Sequence, residues 1–156
     1  MQIDVNVGAY TLAAATVTTA LQIIAASGTK PKCGMVDRGG GREPIEISFN
    51  GVSATDEPVR VRILRQTTAI GGTPTAVTPV KHLNGENGTI QTTAAKKASS
   101  GDAEPTASDV YYDQYLHPQG RHFIAKQFVI EQGERLGFEF TAPQSQEVSI
   151  HVPADD

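Results

Sequence analysis

The sequence predicts a mainly β protein: an antiparallel β-sandwich or jelly-roll-like domain with an extended N-terminal arm. Three observations lead to this prediction. Two runs of alternating apolar and polar residues stand in the middle of the chain, further short alternating runs recur at a spacing of about ten residues, and turn-forming residues separate them. With 156 residues, the chain is long enough to bury one core without disulfides or metals.

The two central runs predict a pair of neighbouring strands. Apolar side chains occupy alternate positions of residues 45–49 and of residues 59–63. Because a period of two places alternate side chains on opposite faces of a strand, each run can bury its apolar set on one core. Asn50-Gly51 and the polar residues up to Pro58 predict an antiparallel connection between the two strands.

Three structures fit residues 1–19. Ile3, Val5 and Val7 alternate with polar residues, and small residues without a large apolar anchor follow. The segment can form an extended arm that orders against a neighbouring subunit, an edge strand followed by a loop, or a helix over residues 11–26, which the β-branched threonines disfavour. We take the arm as the working hypothesis, which leaves residues 20–156 as a single sandwich domain.

The remaining runs predict the other strands. Short strands are expected at 21–26 and 33–37, a tyrosine-rich strand at 110–116, a central strand at 123–130, an alternating strand at 135–140 and a last strand at 148–152 that Pro153 ends. Residues 67–108 are expected to form a long polar loop region with one or two short strands. The expected common core contains Val59, Val61, Ile63, Phe128, Ile130, Leu136, Phe138 and Phe140.

Charge and composition argue against several classes of function. The net charge of −4 and the lack of a basic cluster disfavour a nucleic-acid partner, because phosphate neutralisation supplies most of such binding. No apolar run approaches the roughly 20 residues of a membrane span, and Asp4 stands where a secretory signal carries basic residues, so neither a membrane partner nor secretion is expected. Cys33 is the one cysteine, which fits assembly in a reducing compartment.

No catalytic, cofactor-binding or metal-binding residues are predicted. Residues 51–55 narrowly miss the GxSxG pattern of a nucleophile elbow, the four histidines lack metal-ligand spacing, and glycines 39–41 lack the spacing of a phosphate-binding loop. Asp109 with Asp113 and Asp56 with Glu57 could form general acid–base pairs. The second pair precedes Pro58 in a predicted turn, where acidic residues are common.

Arg60 and Arg62 are the charged residues that the sequence singles out for partner binding. They fall on the same face of one strand, and arginine is favoured at protein–protein contacts. A solvated outer face is the alternative interpretation of the same pattern. The predicted partner-binding set joins these arginines to four residues of the arm, namely Ile3, Val5, Val7 and Tyr10.

Four stretches resemble small structural proteins of tailed-bacteriophage virions. They are the strand VRVRILRQ at 59–66 running into TTAIGGTPT, the long Thr/Ala/Gly tract after it, the segments LHPQG at 116–120 and FVIEQGERLGFEFTAP at 128–143, and VSIHV at 148–152 followed by acidic residues. This pattern of strand endings resembles capsid decoration (cement) proteins. The resemblance covers about residues 43–152.

The resemblance implies a non-enzymatic viral structural protein that binds the outer surface of a phage head and stabilises the shell. The implied partners are the major capsid protein and further copies of the chain, as a trimer, and the implied location is the capsid surface of a virion assembled in the host cytoplasm. Two alternatives remain open: a tail or fibre-like subunit that binds host glycans, and a small jelly-roll enzyme, a hydrolase or lyase. The absence of Trp disfavours the glycan binder.

Overall fold

The computed structural model describes residues 1–50, 56–99 and 101–156, and these residues form strands, turns and loops without a helix. The strands are β1 (Gln2–Leu12), β2 (Val17–Ile24), β3 (Lys32–Cys33), β4 (Val36–Asp37), β5 (Arg42–Glu43), β6 (Ile45–Phe49), β7 (Val59–Gln66), β8 (Thr75–Val77), β9 (Val80–Lys81), β10 (Thr93–Lys96), β11 (Ala107–Leu116), β12 (Gly120–Ile124), β13 (Phe128–Val129), β14 (Arg135–Thr141) and β15 (Gln146–Asp155).

The strands build two antiparallel sheets and one small hairpin. The first sheet has the order β12-β6-β15-β1-β9, with β3 attached to β15 and β13 attached to β3. The second sheet has the order β11-β7-β14-β2-β10-β8, and β4 pairs with β5. The two larger sheets enclose one apolar core, which confirms the predicted antiparallel β-sandwich.

The core follows from alternation in the central strands. Leu136, Phe138 and Phe140 of β14 are at most 1% exposed, and the ring of Phe140 meets the ring of Phe49 from the first sheet edge-on at 6.3 Å. All eight residues of the predicted core belong to this one cluster. Because β14 lies between β7 and β2, its side chains hold the centre of the second sheet against the first.

The extended N-terminal arm is not confirmed. Residues 2–12 form β1, which pairs with β15 from Gln2↔Asp155 to Leu12↔Gln146, and Ile3, Val5 and Val7 are at most 3% exposed. β2 follows and lies between β14 and β10 in the second sheet. The alternation that predicts a strand here is therefore completed within this chain, because β15 supplies the partner.

The predicted pairing of the two central runs is wrong. β6 pairs with β12 and β15 in the first sheet, whereas β7 pairs with β11 and β14 in the second. Both strands bury their apolar sets on the same core, but from opposite sides. Alternation determines which face of a strand is buried and does not distinguish a neighbour in one sheet from a strand in the facing sheet.

Two further expectations are corrected near the C-terminus. Residues 123–130 contain no central strand: β12 lies on the edge of the first sheet, β13 pairs with β3, and Phe123 and Val129 are 59% and 49% exposed. Pro153 does not end the last strand, since β15 continues to Asp155. Its carbonyl accepts a hydrogen bond of 2.7 Å from the Gly34 N–H, because proline lacks only the main-chain donor and keeps the acceptor.

The polar region 67–108 contributes three short strands. β8 and β10 extend the second sheet beside β2, and β9 pairs with β1 at Ile3 and Asp4. Val77 and Val80 therefore lie in strands as expected, whereas Ile90 lies outside them. Part of the region therefore belongs to the two sheets, and the rest connects these short strands.

Candidate protein-binding edge

The strand β11 forms an open edge of the second sheet. It is ten residues long and pairs with β7, and within the described residues no strand covers its other side. Eight of these ten residues are exposed, and the two breaks in register, between Ala107 and Val110 and between Val110 and Tyr112, mark bulges. An exposed edge strand offers main-chain hydrogen-bonding groups to another chain. Because the bulges disrupt the register, only the regular part of β11, from Tyr112 to Leu116, can pair with a strand of another chain.

A partly apolar groove lies beside the bulged half of β11. Its volume is about 480 Å³, and Val110, Tyr111, Lys126, Gln127, Phe128 and Val129 line it. Val110 and Tyr111 are 43% and 36% exposed, and the Tyr111 and Phe128 rings lie 6.1 Å apart. We call these six residues the edge groove. Large apolar side chains left in contact with water next to an open strand edge are typical of a protein-binding surface.

One cation is held at the rim of the edge groove. The ammonium of Lys126 donates a hydrogen bond of 2.7 Å to the main-chain carbonyl of Tyr111 and lies 5.8 Å from the centre of the Phe128 ring. This lysine occupies a main-chain acceptor of the bulged half of β11, so it limits indiscriminate strand addition there. Its charge also favours a partner that brings an acidic group beside its apolar side chains.

The arginines predicted to bind a partner are paired within the chain. Arg60 donates from Nε and Nη2 to the Asp113 carboxylate at 2.9 and 2.7 Å, and Arg62 donates from Nη1 to Glu139 at 3.1 Å. The hydrogen bond from Arg60 lowers the pKa of Asp113 below its ordinary value. The geometry therefore fits the alternative interpretation, an outer sheet face whose charges satisfy one another across strands.

The other predicted partner-binding residues lie inside the protein or against it. Ile3, Val5 and Val7 belong to the common core. Tyr10 is half-buried and donates its hydroxyl to the Lys97 carbonyl at 2.8 Å, while burial and the charges of Glu104 and Asp102 raise the pKa of its phenol to about 12. These side chains are used for folding, so β1 offers none of them to a partner.

A buried polar cluster lies on the outer face of the second sheet. Gln66 accepts from the Gln22 amide at 2.8 Å and donates to the Thr19 hydroxyl at 3.0 Å, and all three residues are at most 1% exposed. Glu104 accepts from the Thr19 main-chain N–H at 3.0 Å and from Lys97 Nζ at 2.7 Å. The cluster ties the segment that carries Lys97 and Glu104 to β2, which explains how polar side chains can be buried there.

Asp4, on β1, is the centre of a charged cluster in the first sheet. Its carboxylate lies 3.0 Å from a nitrogen of His82, 3.0 Å from a nitrogen of His151 and 3.0 Å from Nη2 of Arg38. Burial raises the pKa of Asp4, but the hydrogen bonds from the two histidines and the charge of Arg38 outweigh it and lower the pKa overall. The cluster joins β1 and β15 to Arg38, between β4 and β5, and to His82, just after β9.

Part of this cluster has the composition of a metal site. Asp4, Glu43 and His82 present ligand atoms within 4.8 Å of one another. The guanidinium of Arg38 lies 3.0 Å from Asp4 and 3.2 Å from Glu43, so a positive charge already neutralises both carboxylates. A divalent cation would have to displace a side chain that is 7% exposed, which makes these residues a poor fit to a metal.

The remaining candidates for chemistry do not converge. Asp113 and Asp109 face Arg60 and Arg65, at 2.7 and 3.3 Å, and are therefore ion-paired rather than placed opposite each other for proton transfer. Glycines 39–41 turn the chain between β4 and β5, where the Arg38 N–H bonds the Gly41 carbonyl at 2.8 Å. The near miss of the nucleophile elbow, residues 51–55, lies outside the described residues.

Sequence reasoning missed the edge groove for an identifiable reason. Its lining comes from β11 and from residues 126–129, which were expected to belong to a buried central strand. The signal that was present is the concentration of tyrosines at 111, 112 and 115 in a strand with no apolar alternation. Tyrosine has an apolar ring and a polar hydroxyl, which suits a strand with one solvent-exposed face.

Comparison of the chain with known proteins finds no matching family model, curated protein or solved structure. Among the residues that the structure describes, no helix has the length and apolar character needed to cross a membrane.

Proposed function

We propose that this protein is a non-enzymatic structural component of a tailed-phage virion, a capsid decoration (cement) protein that binds the outer surface of the head. The observation that carries the proposal is the open strand β11 with the edge groove beside it. The sequence stretches that resemble decoration proteins support the choice of partner, the major capsid protein.

Attachment proceeds by strand addition and by side-chain insertion. An extended segment of the capsid protein aligns with the regular half of β11, where main-chain hydrogen bonds supply affinity. One of its apolar side chains enters the edge groove between Tyr111 and Val129, and an acidic neighbour meets Lys126. The strand bonds are independent of side chains, so the groove and the lysine provide the specificity.

A trimer increases the strength of this attachment. Each subunit contributes one modest contact, and once one subunit has bound, the others bind at a high effective concentration. Closed cyclic symmetry is the common way in which identical chains associate. Light scattering of the purified protein and of the protein released from particles measures this directly, and a monomer in both samples contradicts the trimer.

The edge groove can be tested with a matched pair of substitutions. Val129 and Val80 are the same residue type with the same exposure, 49% each, and Val80 lies in β9, outside the groove. We expect Val129→Arg to weaken co-sedimentation with heads that lack the protein at least tenfold, because the charge enters an apolar contact, while Val80→Arg binds like the parent protein. Equal binding by both variants, with unchanged melting temperatures, contradicts the assignment of the attachment surface.

A further inference from the structure

The outer face of the first sheet carries two rows of side chains, polar except for one phenylalanine, that cross several strands. Register places Phe123, Glu46, His151 and Asn6 side by side on the four adjacent strands β12, β6, β15 and β1. The next row contains Arg121, Ser48 and Ser149. The neighbours of these residues in sequence, such as Ile45, Ile47 and Ile150, are buried in the core, so the two rows face outward.

A shallow groove runs between the taller side chains of these rows. Its volume is about 200 Å³, and its lining includes Asn6, Gly8, Glu46, Ser48, Ser149 and His151. This volume is below the roughly 300–1,000 Å³ that encloses a drug-sized ligand or cofactor. It suits a single small ring with the rest of a longer molecule lying along the sheet.

A β-bulge shapes the floor of this groove. The register of β1 against β15 shifts between Val7 and Tyr10, and Ala9 has a positive φ of 46°, which is unusual for a residue with a side chain. The Ser149 hydroxyl accepts hydrogen bonds from the Ala9 N–H at 3.1 Å and from the Asn50 side-chain amide at 2.6 Å, so the main-chain donor at the bulge has a partner. Gly8 adds no side chain, so the floor of the groove stays low beside the imidazole of His151.

The charges on this face are already paired. Arg121 donates to Glu46 at 2.7 Å, and the two ring nitrogens of His151 lie 3.0 Å from Asp4 and 3.6 Å from Glu43. Arg38 also contacts Asp4. The hydrogen bond from Arg121 lowers the pKa of Glu46, so Glu46 remains an acceptor-only carboxylate near neutral pH. What the face presents to a ligand is a set of neutral or internally compensated hydrogen-bonding groups, which does not favour a strongly charged partner.

Phe123 adds an exposed aromatic surface at one end of the row. The side chain is 59% exposed, and the Arg121 guanidinium lies 5.6 Å from the centre of its ring. A sugar ring has an apolar C–H face that stacks on an aromatic ring and hydroxyls that bond to carboxylate, amide, imidazole and hydroxyl groups. The absence of Trp disfavours a glycan binder only if the other aromatic side chains are all buried. Phe123 lies in a strand, but its ring is exposed.

We propose that this face, the glycan groove, binds a neutral polysaccharide chain, with Phe123 stacking on one ring, Glu46 bonding the hydroxyls of the next ring and Asn6 bonding those of a ring further along the sheet. Four strands at about 4.8 Å spacing give a track of about 14 Å, long enough for several linked sugar rings. The glycan groove lies on a different sheet from β11. The inference therefore goes beyond the proposed function and does not depend on it.

The test is affinity electrophoresis of the full chain in native gels cast with dextran, galactomannan or alginate. We expect retardation by at least one of the two neutral polysaccharides, a loss of at least tenfold in affinity for Phe123→Ala, and a smaller loss for Asn6→Ala. Tyr115→Ala is the matched control, because Tyr115 is 66% exposed and lies on the second sheet.

Three outcomes overturn the proposal. They are the absence of retardation in both neutral polysaccharides, equal retardation of Phe123→Ala and the parent protein, and preferential binding to alginate, whose carboxylates identify an ionic contact instead. Failure of capsid binding in the Val129→Arg experiment leaves the glycan result unaffected, since the two surfaces use different residues.

Discussion

Truncating one buried side chain of β1 distinguishes an integral strand from an arm. Ile3 is 0% exposed in the common core, and Ile3→Ala removes three of its carbons. At about 0.8 kcal/mol for each buried methylene, the lost transfer free energy is about 2.4 kcal/mol. The cavity left between the sheets adds to this, so we expect the free energy of unfolding to fall by about 3–4 kcal/mol, within the measured range for such substitutions.

Urea unfolding followed by circular dichroism measures the change. If the free energy of unfolding falls with urea concentration at the same slope in both proteins, a difference in midpoint is a difference in stability. Asn6→Ala is the control, because Asn6 is exposed on the same strand and its loss leaves the core intact. The predicted result is a much lower midpoint for Ile3→Ala and an almost unchanged midpoint for Asn6→Ala. If Ile3→Ala unfolds at the midpoint of the parent protein, β1 is detached in solution and does not form part of the first sheet.

Three further predictions concern single groups. Gly137→Ala places a methyl group against the buried Gln66 amide and should cost about 1–3 kcal/mol in urea unfolding, whereas Gly8→Ala, with open space around it, should not. Burial raises the pKa of the Cys33 thiol to about 12, so Ellman's reagent should react with it only on unfolding, and fast reaction of native protein contradicts this. The lowered pKa of Asp4 contributes stability that is present above its unfolded value of 3.8 and lost as the pH falls through the folded value, so Asp4→Asn should flatten the fall in melting temperature below pH 4.

The sequence predicts the inward face of each strand better than its partner. The apolar residues that alternate in β6, β7, β14 and β15 are all buried as predicted, because burial on one face is a local property of the residues. Pairing depends on contacts between residues far apart in the chain, such as Ile3 with Ala154. Alternation carries no information on that separation, which is why β1 was expected to be an arm and β6 to be a neighbour of β7.

The candidate sites are less accessible to sequence reasoning than the core. Arg60 and Arg62 were correctly placed on one face, but their partners Asp113 and Glu139 come from two other strands. The glycan groove needs the registers of four strands and a bulge at Gly8. Neither the ion pairs nor the groove can be inferred without the topology. The tyrosines of β11 are a local signal that fits an exposed strand, although the sequence analysis predicts only a tyrosine-rich strand there.

The most direct test of the proposed attachment is a cryo-electron microscopy reconstruction of phage heads decorated with this protein, at a resolution that shows side chains. We expect β11 to lie against the major capsid protein, with an extended capsid segment paired to residues 112–116 and an apolar side chain between Tyr111 and Val129. A map in which β11 and the edge groove face solvent, or in which the heads carry no density for the protein, contradicts it.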